Sequence, residues 1–281
     1  MTATAETRRF PVHGVELSWS ERGSGAPTLV LCHGYTGSAH DWALQVDELA
    51  RRRRVVTFDH RGHGFSSQPG RLAGYTIGQL AADLAAFLDA VGGGPVDLLG
   101  HSMGGRVAMT MVLERPELVR SLILMDTSAW SFQPPDEEIR AVVQQFIEAF
   151  DPADGMPAGF SLAGPEDVLV EAAVPAGWLR QKQAITAGMD AFAVKGLGLE
   201  LWGEAEDGPS SLRRRLPEIT CPVTVVVGEH DHPLVDQAPA LAAEVADGVL
   251  VVIEGGYHSP QLTHVTEWRA AVEAHLSRAG A

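Results

Sequence analysis

The chain holds two cysteines, two lysines and three tyrosines in 281 residues, and no run approaches 18 uninterrupted apolar residues. The lack of a long apolar run excludes a membrane-spanning helix, which needs roughly 20 consecutive, mostly apolar residues. Residues 1–11 carry arginines but no apolar segment, so no signal peptide is expected and a cytoplasmic location follows as the default. Cys32 and Cys221 each lie in or beside an apolar strand-like run, which reads as two buried free thiols and no disulfide. Two lysines and a net charge of −15 leave no basic surface for nucleic acid or an anionic membrane. The short basic run 51–54 reads as a solvated helix end, and neither an internal repeat nor a low-complexity tract occurs.

What is present is the composition of an ordinary globular protein, 45% hydrophobic and 20% charged. At this length one large α/β domain can carry an insertion. The rest of the chain is organised around Gly100-His101-Ser102-Met103-Gly104-Gly105. An apolar strand over 96–99 runs into it, and a small-residue helix over 105–113 leaves it. A strand that becomes a helix within so few residues forces its turn residue towards strained angles, and the flanking glycines remove the side chains that would clash. Ser102 is thereby exposed as a nucleophile. The same turn aims the first N–H groups of the helix at developing negative charge.

Short apolar runs at 28–32, 54–58, 122–125, 222–227 and 249–253 read as further strands, each ending in a polar turn. Weak alternation over 12–22 suggests an antiparallel edge pair. Helical spacing runs through Trp42, Leu44, Val46 and Leu49, and again through Ile77, Leu80, Leu84, Phe87, Leu88 and Val91. Residues 239–245 and 266–276 read as two more helices. Strands alternating with helices predict a mostly parallel central sheet flanked by helices, with catalytic groups at its carboxyl edge.

The texture changes from 130 to 212, where no β-branched strand run appears and prolines cut helical stretches at 136–150, 165–174, 178–189 and 192–202. This predicts a core over 1–129, a helical insert over 130–212 and a returning core over 213–281. The insert carries 14 Asp or Glu against four Lys or Arg, and eight of the 18 aromatic residues. The substrate pocket is expected beneath it, with Trp130, Phe146 and Trp178 as candidate substrate-binding residues. The histidine-rich turns supply no metal site, because the spacing of His60, His63, His230, Asp231 and His232 matches no defensible ligand set. Neither a metal nor a cofactor is expected.

Five motifs in order, His33-Gly34-Tyr35, Asp59-x-Arg61-Gly62-x-Gly64-x-Ser66, the Ser102 turn, Gly228-x-x-Asp231 and His258, resemble the α/β-hydrolase superfamily. The resemblance implies an α/β-hydrolase fold in which the insert is a helical cap. It implies a Ser102, Asp231, His258 triad and an oxyanion hole formed by the N–H groups of Tyr35 and Met103. A histidine near neutral pKa is the base that Ser102 requires, and His258 holds that position. His33, His60, His63 and His101 read as structural, as do Asp59 and Arg61. Asp126 also ends an apolar strand and is the rarer alternative to Asp231 as the acid. A serine at 102 excludes family members that need an aspartate nucleophile.

The function expected is a serine hydrolase that cleaves an apolar carboxylic ester or lactone of moderate size through an acyl-enzyme on Ser102. Cleavage of a C–C bond in a diketone by the same triad, a cofactor-free oxygenase or lyase, and a slow-turnover small-molecule receptor are the alternatives.

Overall fold

The structure, a computed structural model, describes residues 6–130, 136–156, 166–203 and 212–280. The side chains of residues 139, 140 and 146 lie outside that description.

Eight strands form one sheet: β1 (Arg8–Val12), β2 (Val15–Arg22), β3 (Leu29–Cys32), β4 (Val55–Phe58), β5 (Val96–His101), β6 (Val119–Met125), β7 (Val223–Gly228) and β8 (Gly248–Ile253). They lie in the order β1-β2-β4-β3-β5-β6-β7-β8. Only the β1–β2 and β2–β4 pairs are antiparallel, and every pair from β4 to β8 is parallel. A parallel strand covered on both faces needs apolar side chains on both. Val30, Leu98 and Val225 accordingly enter one buried cluster, while Leu29, Leu31, Leu99 and Val226 enter another behind the sheet. Cys32 is fully buried in the first cluster and Cys221 is half-buried, and both thiols are free.

In chain order the helices are α1 (Val46–Leu49), α2 (Ile77–Val91), α3 (Met103–Glu114), α4 (Glu137–Ala149), α5 (Asp167–Ala173) and α6 (Trp178–Ala187). They continue with α7 (Ala191–Trp202), α8 (Leu212–Arg215), α9 (Leu234–Glu244), α10 (Pro260–Thr263) and α11 (Val265–Arg278). Helix α2 starts where the Thr76 hydroxyl accepts the Gln79 N–H, and it buries Ile77, Leu80, Leu84, Phe87 and Leu88. Helix α11 covers the opposite face with Trp268, Val272 and Leu276.

Two sequence expectations need correction. The spacing of Trp42, Leu44, Val46 and Leu49 does not make one helix. It splits into a 3₁₀ turn at Ala39–Trp42, capped by Ser38 and Asp41 in a capping box, and the single turn α1. The helix expected from 239 begins at Leu234 and carries Pro239 inside. The reason lies in the preceding turn, where the Val235 N–H donates to the Asp231 carbonyl at 2.8 Å. The chain therefore passes from the Asp231 turn into α9 without an intervening loop. No helix among the described residues is long and apolar enough to cross a membrane.

Candidate active site

Ser102 lies between β5 and α3 at φ 53°, ψ −120°. Such a conformation costs a non-glycine residue on the order of 1–3 kcal/mol and persists only where the surroundings fix it. Here the Ser102 N–H donates to the Met125 carbonyl at 2.9 Å, and the Ser102 carbonyl accepts the Thr127 hydroxyl at 2.6 Å. Close packing requires the nearby glycines. A Cβ on Gly104 would stand 2.5 Å from the His33 carbonyl oxygen, and one on Gly34 would stand 3.0 Å from Ser102 Cβ. The His33-Gly34-Tyr35 turn is thus pressed against the nucleophile turn.

This juxtaposition supplies two backbone donors. Met103 is the first residue of α3, so its N–H has no acceptor within the helix. Tyr35 occupies the second position of a turn closed by the Gly37 N–H on the Gly34 carbonyl at 3.1 Å, a closure that leaves the Tyr35 N–H unused. The Tyr35 hydroxyl reaches away from the turn and donates to the Val194 carbonyl in α7 at 2.6 Å.

His258 Nδ1 lies 2.8 Å from Asp231 Oδ2. Burial alone would lower the imidazole pKa, but the charge and hydrogen bond of Asp231 outweigh it and raise it above the ordinary value. The His258 carbonyl accepts a hydrogen bond from His101 Nε2 at 2.8 Å, so the residue beside the nucleophile also holds the histidine loop. Burial lowers the His101 pKa to about 3, which keeps the ring neutral.

Asp126 is fully buried at the end of β6 with φ 46°. Its Oδ1 accepts the Gly228 N–H at 2.8 Å, tying β6 to the turn that carries Asp231. Its Oδ2 meets no N–H or hydroxyl, and its carboxyl lies close to that of Asp231. Burial, followed by the charge of Asp231, pushes the Asp126 pKa well above the usual carboxylate range. Of the two candidate acids, Asp231 touches His258, while Asp126 lies behind it with its carboxyl pushed towards the neutral form.

The remaining motif residues build the walls. His33 Nε2 accepts the His60 N–H at 3.0 Å, and His60 Nε2 lies 3.1 Å from Cys32 Sγ. Burial lowers the pKa of His33 and His60, and it takes His63 to about 3. Asp59 accepts the Ala39 and Phe65 N–H groups, and Arg61 makes a bidentate pair with buried Asp83 at 2.6 and 2.7 Å. His230 packs on Tyr257, and His232 pairs with Asp236 at 2.8 Å. Among the described residues no group of three or more His, Cys, Asp or Glu side chains could hold a metal ion. The groove at the β1–β2 turn, lined by Pro11, His13, Glu16 and Ser67, contains none of the candidate residues.

The three candidate substrate-binding aromatics fare differently. Trp178 is 6% exposed, stacks on His40 at 4.8 Å and packs with Val170 and Leu262, so its surface is consumed at the seam between the 136–203 segment and the core. Trp130 is half-buried, with the Arg213 guanidinium 5.1 Å above its ring. The Phe146 side chain lies outside the described residues.

Sequence reasoning missed the residues that tie the 136–203 segment to the core. Lys182, one of the two lysines, pairs with buried Asp41 at 2.7 Å. Asp190 accepts the Tyr75 hydroxyl at 2.5 Å and the Gly70 N–H at 2.7 Å. Glu166 accepts the N–H and the hydroxyl of Ser259, the residue after His258, at 2.9 and 3.2 Å. None belongs to a motif. The weak signals were the scarcity of lysine and the position of Glu166 directly after a proline.

A parallel sheet with a strained serine at its carboxyl edge and a histidine–aspartate pair beside it defines a hydrolase-type site. Residues 27–265 match the family model of the alpha/beta hydrolase fold, and the chain belongs to that family as an α/β-hydrolase enzyme. It is 30% identical over 274 residues to the dihydrolipoyllysine-residue acetyltransferase component of the acetoin cleaving system of Cupriavidus necator, covering 98% of this chain and 70% of that one. It is also 30% identical over 269 residues to a putative carbamate hydrolase, RutD, of Pseudomonas syringae pv. syringae, covering 90% and 94%. A solved structure described as Est816, an N-acyl homoserine lactone degrading enzyme, superposes with a TM-score of 0.67 at 26% identity over 95% of this chain and 99% of that one.

Proposed function

We propose that the protein is a serine hydrolase of an apolar carboxylic ester or lactone of moderate size, working through an acyl-enzyme on Ser102. The observation that carries this reading is the 2.8 Å contact of His258 Nδ1 with Asp231 beside a serine held at φ 53°. Asp231 fixes the tautomer with the proton on Nδ1, which leaves Nε2 as the base. Ser102 Oγ attacks the substrate carbonyl as His258 Nε2 takes its proton. The oxyanion is stabilised by the N–H groups of Met103 and Tyr35. The imidazolium, supported by Asp231, then protonates the departing alkoxide. Water repeats the sequence on the acyl-enzyme and returns Ser102 to its starting state.

The helical segment between β6 and β7 serves as the cap in this reading, with half-buried Trp130 taken as an aromatic that touches substrate. The names of the three relatives support acyl-type chemistry, since each describes an acyl transfer or the cleavage of a carbamate or a lactone. No nucleic acid or membrane partner is invoked. The test is labelling with a fluorophosphonate, read by intact mass, together with a graded panel of p-nitrophenyl esters and lactones. One adduct is expected on wild type and none on Ser102→Ala, with kcat falling by roughly 10⁴ to 10⁶ in Ser102→Ala and His258→Ala. Retention of a tenth of wild-type ester hydrolysis by Ser102→Ala would exclude the acyl-enzyme.

A further inference from the structure

The loop that carries His258 is held from three directions. Asp231 takes Nδ1 from the β7 side and His101 takes the His258 carbonyl from β5. The third hold comes from outside the sheet. Glu166 precedes α5 and grips Ser259 with both carboxylate oxygens, accepting the N–H at 2.9 Å and the hydroxyl at 3.2 Å. Ser259 is buried and opens the short helix α10, whose Leu262 packs against Val170 of α5 and Trp178 of α6. One carboxylate therefore fixes the backbone one residue beyond the imidazole, across 93 residues of sequence.

The electrostatics point the same way. The charged and titratable groups facing His258 are Asp231, Glu166, Lys182 and the neutral His101 ring at 4.8 Å, with Asp126 behind Asp231. Asp231 and Glu166 favour the imidazolium, while Lys182 and burial oppose it.

We infer that Glu166, supplied by the segment between β6 and β7, is a positioning residue for His258, setting the histidine loop through Ser259 and supporting the imidazolium with its charge. The inference rests on the serine-triad reading and gives that segment a part in bond cleavage as well as in substrate choice. A mere tether of α5 to α10 would contribute stability alone. A positioning role also moves kcat and the pH at which the base titrates.

The experiment compares wild type, Glu166→Ala, Glu166→Gln and the control Glu171→Gln, an exposed residue of α5. Fluorophosphonate labelling of wild type comes first, followed by p-nitrophenyl acetate hydrolysis across pH well below each melting temperature. Glu166→Ala should lower kcat about tenfold with KM within about twofold, because displacement of a catalytic group costs rate more than affinity. Glu166→Gln keeps one acceptor for Ser259 and should lose about threefold, as a neutral acceptor replaces a charged one. Both should shift the acid limb of kcat/KM to lower pH, since a negative charge that favours the protonated imidazole is gone. Glu171→Gln should change neither. Wild type that labels, with Glu166→Ala keeping full kcat or an unmoved acid limb, overturns the positioning role and leaves the triad standing. Wild type that takes no label removes the triad reading and the role of Glu166 with it. Should Glu166→Ala fail to fold, the pH limb of Glu166→Gln decides alone.

Discussion

Asp231→Asn and Asp126→Asn should have very unequal consequences, although each removes a carboxylate near His258, one half-buried in the turn after β7 and one buried at the end of β6. At 231 the carboxylate is 11% exposed and makes a 2.8 Å contact with Nδ1. Loss of such a charge-assisted bond costs about 1.5–3 kcal/mol. The tautomer adds more: an Asn amide can donate to Nδ1 and leave the ring proton on Nε2, the atom that must accept from Ser102. Together these give a loss near 10⁴ in kcat, about 5.5 kcal/mol at roughly 1.4 kcal/mol per decade. At 126 burial and the charge of Asp231 push the carboxyl towards its neutral form. Asn reproduces that state. Its oxygen accepts the Gly228 N–H as Asp126 Oδ1 does at 2.8 Å, and its amide hydrogen takes the place of the acid proton towards Asp231. The kcat of Asp126→Asn should stay within about fivefold of wild type, as expected for a swap that leaves no buried group unpaired.

Stability supplies a second readout for the same pair. The folded Asp126 pKa is raised, so its contribution is fully present below the unfolded carboxylate value and is lost as pH rises through the folded one. Wild type should therefore lose stability relative to Asp126→Asn on going from acid towards neutral pH. The assays are p-nitrophenyl ester turnover at matched folding and thermal melting of both proteins across pH. A fall in Asp126→Asn equal to that in Asp231→Asn, or the reverse order, would refute the assignment, and a melting difference that is flat with pH would refute the neutral acid.

Four further outcomes can be measured. The acid limb of kcat/KM should have its midpoint above the ordinary histidine value, because turnover needs neutral His258 and Asp231 holds its pKa up; pH profiles on an uncharged ester measure it. Lys182→Met should cost about 1–3 kcal/mol in urea unfolding, below the full cost of orphaning a buried charge because Lys182 is 32% exposed. Burial would raise the Asp41 pKa, yet Lys182 holds it down, so this contribution should exist above the unfolded carboxylate pKa and disappear as pH falls. Trp178→Ala should destabilise by about 3–5 kcal/mol, the usual cost of emptying a buried aromatic site, while Trp130→Ala should change the KM ratio between short and long acyl esters with little loss of stability.

The strands, their alternation with helices and the serine turn were readable from the chain alone, because each is a local pattern. Apolar runs covered on both faces make parallel strands, and Gly100, Gly104 and Gly105 around Ser102 permit a turn that few other sequences allow. The family's motif order carried Asp231 and His258 as well. The sequence could not rank Asp126 against Asp231 by physics, since both end strands and both precede the histidine. Tertiary packing separates them: the turn after β7 puts Asp231 on Nδ1, and the Gly228 N–H draws Asp126 into the sheet. Periodicity also overstated the helix through Trp42 to Leu49, where a capping box at Ser38 and Asp41 closes a tighter turn. Least legible were Glu166 on Ser259, Lys182 on Asp41 and His101 on the His258 carbonyl. They join residues 93, 141 and 157 positions apart, where no spacing rule operates, and only the folded chain brings them within hydrogen-bonding reach.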